Sequence, residues 1–305
     1  MTTLKKSLPR IFRFSQSPSL SIVLLVIGLL ITVIFVAIAI FAPVMQSWGW
    51  LQNPLESLSN PRLQPPSGEH WFGTTSEGYD VFSRTVFGSQ AALQVVLMAT
   101  VLSLIVGVPL GMVSGYLGGR VDQVLLFLMD AIYTLPRLLL SMTLAFVVGR
   151  GVFNAAIAVS IPYIAKYYRV VRNHTASVKN EVFIEAAQAM GASTGRVLWR
   201  YLFLNVIQNV PVLFTLNAAD AILTLSGLGF LGLGLPEDTP EWGRSLKDAL
   251  SDLQLDLNPV TGEEGTFWWT TLFPGLALTL MVVGLSLLGE GLSELIDPRS
   301  RKENQ

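Results

Sequence analysis

Ser21-Ile-Val-Leu-Leu-Val-Ile-Gly-Leu-Leu-Ile-Thr-Val-Ile-Phe-Val-Ala-Ile-Ala-Ile-Phe-Ala42 is 22 residues without a charge, inside a longer uncharged run from Phe14 to Leu55. About 20 consecutive apolar residues suffice for an α-helix to cross the hydrocarbon core of a bilayer. The stretch therefore reads as a membrane-spanning helix, and that reading sets the class of the whole chain. Composition agrees: of 305 residues, 51% are hydrophobic and 13% charged, against about 25% charged in a soluble domain. The mean hydropathy is +0.54. Too little polar surface is left to coat a soluble globule. The same figures exclude disorder and a collagen-like fibre, and the absence of cysteine excludes a disulfide scaffold.

Working outward, a second uncharged run covers Thr85–Gly119, with its apolar centre at Leu93–Val113. A third candidate, Val124–Val148, contains Asp130, Pro136 and Arg137, and a fourth, Val152–Ala165, is short and lies between Arg150 and Lys166. The fifth runs from Tyr201 to about Leu225 around Asp220. The sixth, about Thr271–Leu288, follows Trp268-Trp269, an aromatic pair suited to a membrane interface. The expectation is an all-α polytopic membrane protein with six transmembrane helices. Its parts are an inner N-terminus at 1–20, the first helix at 21–42, an outer loop at 43–90 and a five-helix core at 91–295. That core includes an inner segment at 179–200 and an outer loop at 227–270, and an inner tail follows at 296–305.

With the N-terminus inside, the inner segments hold Lys5, Lys6, Arg10, Arg13, Arg120, Lys166, Arg169, Arg172, Lys179, Arg196, Arg200, Arg299, Arg301 and Lys302, which is 14 of the 20 basic residues. That bias follows the positive-inside rule and puts both termini inside. The outer loop from Gly227 to Thr270 has eight acids (Glu237, Asp238, Glu241, Asp248, Asp252, Asp256, Glu263, Glu264) against Arg244 and Lys247. A cleaved leader is the competing reading of the first helix, because a basic start precedes it and Ala37-Ile-Ala39 is small-x-small. Its apolar stretch exceeds the roughly 7–15 residues of such a region.

The chain shows little apparatus for chemistry. No glycine is followed by lysine, so no phosphate-binding loop of the G-x-x-x-x-G-K-[ST] type exists, and H-E-x-x-H does not occur. No catalytic residue, metal site or cofactor is expected: there is no thiolate, and His70 and His174 lie far apart. A net charge of −1 offers no footprint for nucleic acid. What the pattern suits is a path through a membrane.

Asp130, Arg137 and Asp220 are ionisable residues inside predicted spans. Such groups cost at least about 2.5–3.5 kcal/mol at a helix centre and face a bundle interior or cavity. They are candidate pathway residues, with internal structural pairing as the competing role. Asp130 and Arg137 are seven apart, two helical turns, too far to pair directly along one helix. Ser103, Gly107, Gly111, Gly115 and Gly119 recur every four residues. This small-xxx-small face admits another helix closely, either in this chain or in a second subunit. Pro109, on the opposite side, is expected to kink that helix.

Between the fourth and fifth candidates stands Glu181-Val-Phe-Ile-Glu185-Ala-Ala-Gln-Ala-Met-Gly191-Ala-Ser-Thr-Gly195. Val182, Phe183, Ala186, Ala189 and Met190 make an apolar face at helical spacing. Glu181 and Glu185 sit near the N-terminal half, where acids suit the helix dipole, and Gly191 offers a left-handed stop. A short amphipathic helix is expected on the inner face. A lipid-surface helix carries a basic polar face. This one is acidic, so docking to a partner is favoured.

Glu185-Ala186-Ala187-x-x-x-Gly191 resembles the E-A-A-x-x-x-G signature of bacterial ABC-importer permeases, and the chain is further similar to the dipeptide/oligopeptide/nickel branch. His70-x-x-Gly73-Thr74, Gly78, Asp80 and Ser83-Arg84 look like that branch's H-P-x-G-T-D-x-x-G-R-D-x-x-S-R motif. Asp130 with Pro136 is similar to its D-x5-P. Phe230-Leu-Gly-Leu-Gly234, Thr239-Pro240-x-Trp242-Gly243, Phe273-Pro-Gly-Leu-Ala277, Leu288-Gly289-x-Gly291-Leu292 and Asp297-Pro298-Arg299 follow in the branch's order. Thr75, Tyr79 and Gln90 depart from its usual Asp, Arg and Arg, Leu204 replaces a proline, Leu225 stands where relatives often carry Glu, and Arg137 and Asp220 are additional.

The resemblance implies a type I ABC-importer permease fold in a bacterial inner membrane, with both termini cytoplasmic. It implies a permease subunit for dipeptides or oligopeptides, not itself an enzyme, paired with a second homologous permease, two ATP-binding subunits and an external substrate-binding protein. Glu181, Glu185, Ala186, Ala187 and Gly191 would couple to the ATPases. The acidic outer loop would be the docking surface for the binding protein. An ion-gradient-driven secondary transporter, with Asp130 or Asp220 as the ion site, is the alternative.

Overall fold

A computed structural model describes residues 18–253 and 266–296. The acids at 256, 263 and 264 and the basic residues of the two termini lie outside these residues. So do most of the expected inner N-terminus and the tail. Among the described residues every regular element is a helix, apart from one isolated bridge between Thr74 and Asp80. The order is α1 (Pro18–Ser47), α2 (Val81–Leu117), α3 (Gly119–Thr134), α4 (Arg137–Val148), α5 (Val152–Val178) and α6 (Val182–Ala189). A near-continuous stretch follows through α7 (Thr194–Arg196), a π turn (Val197–Leu202), α8 (Phe203–Val206), a 3-10 turn (Ile207–Asn209) and α9 (Val210–Phe230). After it come α10 (Trp242–Leu253) and α11 (Trp268–Ile296).

Four helical stretches are long and apolar enough to cross a membrane: Leu20–Ser47, Val81–Leu117, Thr194–Phe230 and Trp268–Ile296. The third expected span is not one helix. It breaks between Thr134 and Arg137, and its halves are bent by 95°. Pro136 has no N–H to give and forces the residue before it out of the helical region; Leu135 is extended, with ψ 139°. Counting the bent pair as one crossing gives five. The fourth expected span continues past Ala165 as α5 to Val178, 27 residues. Lys166, Arg169 and Arg172 in its second half keep it below the apolarity of the others.

Other boundaries move as well. The segment between the first two helices, expected at 43–90, is 48–80, since α1 runs on to Ser47 and α2 starts at Val81. Asp80 fixes that start: its carboxylate accepts from the backbone N–H of Ser83 at 2.8 Å and from Ser83 Oγ at 2.6 Å, the arrangement that satisfies orphan donors at a helix start. Pro109 does not interrupt α2, which runs 37 residues, about 55 Å. The fifth expected span starts earlier than Tyr201. With Leu204 in place of proline, the chain from Thr194 stays helical through a π and a 3-10 turn instead of breaking.

α2 measures the bundle from end to end. Near its beginning the Thr85 carbonyl accepts from Trp242 Nε1 of α10 at 2.9 Å. Near its finish, Tyr116 OH accepts from Gln188 Nε2 of α6 at 3.0 Å. α6 and α10 therefore mark opposite ends. One apolar core, at the α10 side, joins Ala92, Val95 and Ala99 of α2 to Ala155 and Val159 of α5, Ile222 of α9 and Met281 of α11. A second, at the α6 side, joins Val108 and Met112 of α2 to Tyr167, Ile184 and Leu202. α1 lies mainly against α11 and reaches the first core through Phe35, with most of its Leu, Ile and Val side chains exposed.

The loop between α9 and α10 holds a buried acid. Glu241 accepts from the N–H groups of Gly243 and Arg244, both at 2.8 Å, and from Ser226 Oγ at 3.2 Å. Burial pushes its carboxyl above the usual range, while these hydrogen bonds and the Arg244 charge pull the other way.

Candidate functional site

Three carboxylates and four guanidinium or ammonium groups meet along one side of α5. Arg172 grips Asp122 of α3 with Nε and Nη2, each at 2.6 Å, and Ser114 Oγ donates to the same carboxylate at 2.6 Å. Arg169 Nη2 lies 2.6 Å from Asp130 Oδ1, and its guanidinium stacks 3.8 Å over the Tyr133 ring. Lys166 Nζ lies 3.3 Å from Asp220 Oδ2, and Arg137 Nη1 reaches that same oxygen at 2.5 Å. Of the three charges singled out from the sequence, Arg137 and Asp220 meet, while Asp130 pairs with Arg169. Asp130 and Arg137 do not meet, and the helix breaks between them.

The sequence reading missed α5's part in this belt, since it placed Lys166, Arg169 and Arg172 in an inner loop. Their spacing of three was the available signal, because residues three apart are neighbours on a helix surface. The Arg137 and Asp220 side chains remain 51% and 34% exposed. α3 contributes no buried residue and α4 only Ser141 and Ala145. The belt thus lies on an open flank of the bundle.

The glycines of α2 face α5, its most extensive helix neighbour. A Cβ on Gly107 would come within 2.7 Å of Tyr167 Cβ, on Gly111 within 2.7 Å of the Tyr168 carbonyl, and on Gly115 within 2.5 Å of the Arg172 carbonyl. Ser103 Oγ adds a hydrogen bond to the Ser160 carbonyl at 2.9 Å. This close approach sets the depth at which the α5 cations meet their partners.

At the other site, α6 is anchored by Ile184, which joins the second core, and by Ala187, which is buried as well. The remainder points outward. Val182 is 76% exposed and Met190 80%, and Phe183, Glu181, Glu185 and Ala186 are exposed as well. Among the described residues neither Glu181 nor Glu185 has a side-chain hydrogen bond or ion pair. Gly191 ends the helix at φ +84°, with its own N–H on the Gln188 carbonyl and the next N–H, from Ala192, on the Ala187 carbonyl. That two-bond closure needs a left-handed residue. A Cβ there would meet nothing within 4 Å.

At the α10 end the His70–Arg84 motif is architectural. His70 Nδ1 lies 3.3 Å from Asp80 Oδ1, Trp269 Nε1 donates to the Thr74 carbonyl at 3.0 Å, and Arg84 donates to the Pro54 carbonyl at 3.0 Å. The departures at Thr75 and Tyr79 make contacts of their own. Thr75 Oγ1 accepts from the Tyr79 N–H at 3.1 Å, and the Arg84 guanidinium lies 4.1 Å over the Tyr79 ring.

The chain is similar over most of its length to characterised transport proteins. It is 37% identical over 279 residues to the dipeptide transport system permease protein DppC of Alkalihalophilus pseudofirmus, covering 91% of this chain and 86% of that one. It is 32% identical over 280 residues to the oligopeptide transport system permease protein OppC of Bacillus subtilis, covering 92% and 87%. A probable D,D-dipeptide transport system permease protein of Escherichia coli, DdpC, is 34% identical over 277 residues, with 91% and 88% covered. Residues 107–302, which hold the glycine face, the charge belt, α6 and α11, match one family along their length, and the chain belongs to it: the binding-protein-dependent transport system inner membrane components.

Proposed function

We propose that the chain is a permease subunit of an ATP-driven importer of dipeptides or oligopeptides. The observation that carries this reading is the likeness, over about nine-tenths of the chain, to permeases of dipeptide and oligopeptide systems. It forms the translocation path with a second, homologous permease. Two ATP-binding subunits supply the phosphate loop that this sequence lacks, and an external binding protein delivers the peptide. An ion-gradient mechanism has less to work with, since Asp130 and Asp220 already hold cationic side chains.

In this reading α1, α2, the bent α3–α4 pair, α5, the 194–230 stretch and α11 cross the inner membrane six times. The α6 end is cytoplasmic and the α10 end periplasmic. Glu181, Glu185, Ala186, Ala187 and Gly191 form the coupling surface for an ATPase. The uncovered apolar face of α6 and its two unpaired acids support that role, because neither is matched within the chain. The flank carrying Arg137 and Asp220 lines the path.

Two measurements test this. The tagged chain, extracted in mild detergent from cells expressing its neighbouring transport genes, should carry an ATPase with it, and the complex should hydrolyse ATP faster when peptide-loaded binding protein is added. A chain that purifies alone and drives ion-coupled uptake overturns the reading. The chain is free of cysteine, so single cysteines report orientation. An impermeant maleimide on intact spheroplasts should label Asp238→Cys and not Asn180→Cys. The opposite pattern reverses the orientation.

A further inference from the structure

Arg137, Lys166 and Asp220 form a cluster with two cations on one carboxylate oxygen, at 2.5 and 3.3 Å. Arg169 and Asp130 beside it balance one another, so the belt at this level carries one positive charge in excess. Asp220 is the middle residue of α9, ten residues from either end, about 15 Å along the axis. The excess charge thus sits well inside the length of the helix, on the open flank of the bundle. There the Arg137 side chain is half exposed, on a flank where Leu135, Leu138 and Leu139 are exposed as well. A guanidinium at that depth cannot face hydrocarbon without large cost; it faces water or an anion. Nη1 hydrogen-bonds to Asp220 and the guanidinium stands 6.0 Å over the Tyr163 ring; the half-exposed remainder of the planar fork suits a carboxylate, the group whose geometry it matches.

We propose that Arg137 is the point midway along the path at which the free carboxylate of a transported peptide binds, and that Lys166 keeps Asp220 paired while Arg137 is engaged. The proposal rests on the peptide-importer reading and adds to it the group recognised. Exchange is what the second cation provides. A permanent bond from Arg137 to an acid of the second permease would need no spare partner for Asp220, whereas a transient one does. Position also fits: Arg137 is the first residue of α4, directly after the 95° break.

The test uses Arg137→Cys in the assembled transporter in membrane vesicles, with labelled alanyl-alanine as the probe. Uptake should fall about 10- to 100-fold, the loss expected for a charged hydrogen bond. Treatment with 2-aminoethyl methanethiosulfonate, which puts an ammonium back, should restore most of it, measured against the parent complex treated alike. The sulfonatoethyl reagent should react with the same thiol and restore nothing, and saturating alanyl-alanine should slow that reaction. Arg137→Lys, which keeps the charge and loses the fork, should fall between the parent and Arg137→Cys.

Wild-type uptake by Arg137→Cys, equal rescue by both reagents, or a thiol that alanyl-alanine does not protect overturns the proposal. A parent complex that imports neither alanyl-alanine nor a longer alanine peptide overturns the peptide reading, and with it the carboxylate named here.

Discussion

Gly191→Val in the assembled transporter is expected to abolish the stimulation of ATP hydrolysis by loaded binding protein, and peptide uptake with it, while the helical bundle still forms. The substituted side chain meets nothing in this chain, since no heavy atom lies within 4 Å of a Cβ at that position. The cost inside the chain is confined to the backbone: φ is +84°, a region that costs an ordinary residue about 1–2 kcal/mol and suits a β-branched one least. Refusing that angle opens the two-bond closure at Gln188 and Ala187 and tilts the exposed end of α6, while Ile184 and Ala187 still hold its base. Glu185→Ala tests the same surface without touching the backbone. A hydrogen bond to a charged group is worth about 1.5–3 kcal/mol, so coupling should weaken about 10–150-fold. The readout is ATPase activity in nanodiscs with and without loaded binding protein, alongside the elution profile of the complex. Full stimulation in both variants removes α6 from the coupling role.

The parts of this molecule legible in its sequence are those set by local rules. Uncharged runs around Ser21–Ala42 and Leu93–Val113 are helices because nothing else satisfies the backbone in lipid. Gly191 ends α6 because a left-handed stop follows from the residue type. The break at Pro136 was written in the chain too, yet a count of apolar residues passes over it, because hydropathy carries no information about the lost N–H. The cations of α5 were harder to read. Lys166, Arg169 and Arg172 look like loop residues when each is judged by its own charge. Only the acids of α3 and α9, 39 to 54 residues away in sequence, make them bundle residues. Pairing across helices is a property of the packing, and the glycine stripe of α2 hints at close approach without saying which helix approaches. The meeting of Arg137 with Asp220, 83 residues apart, is of this second kind.

Trp242→Ala should cost the fold more than any loss in the charge belt. The ring is fully buried; its Nε1 donates to the Thr85 carbonyl of α2 at 2.9 Å, and Phe35 of α1 meets it edge-on with centroids 5.9 Å apart. A Cβ on Gly88 would come within 2.7 Å of that nitrogen, so the indole fills its slot without slack. Removing a buried aromatic of this kind costs about 3–5 kcal/mol, a large share of the roughly 5–15 kcal/mol that holds a domain together. The next residue works on the other side: a Cβ on Gly243 would run into the carbonyl oxygen of Ser226 in α9. Because that obstacle is backbone, no rotamer change relieves it, and Gly243→Val should push α10 away from α9 at the upper end of the usual 1–3 kcal/mol or so for overpacking. Each substitution should lower the thermal midpoint of the detergent-purified protein by about 10 °C. The double variant should fall short of the sum, since both act on one joint. Trp199→Ala, whose ring is 59% exposed, should stay within about 0.5 kcal/mol of the parent. A Trp242→Ala protein that melts with the parent would show that α10 is held to the bundle by some other contact than this lock.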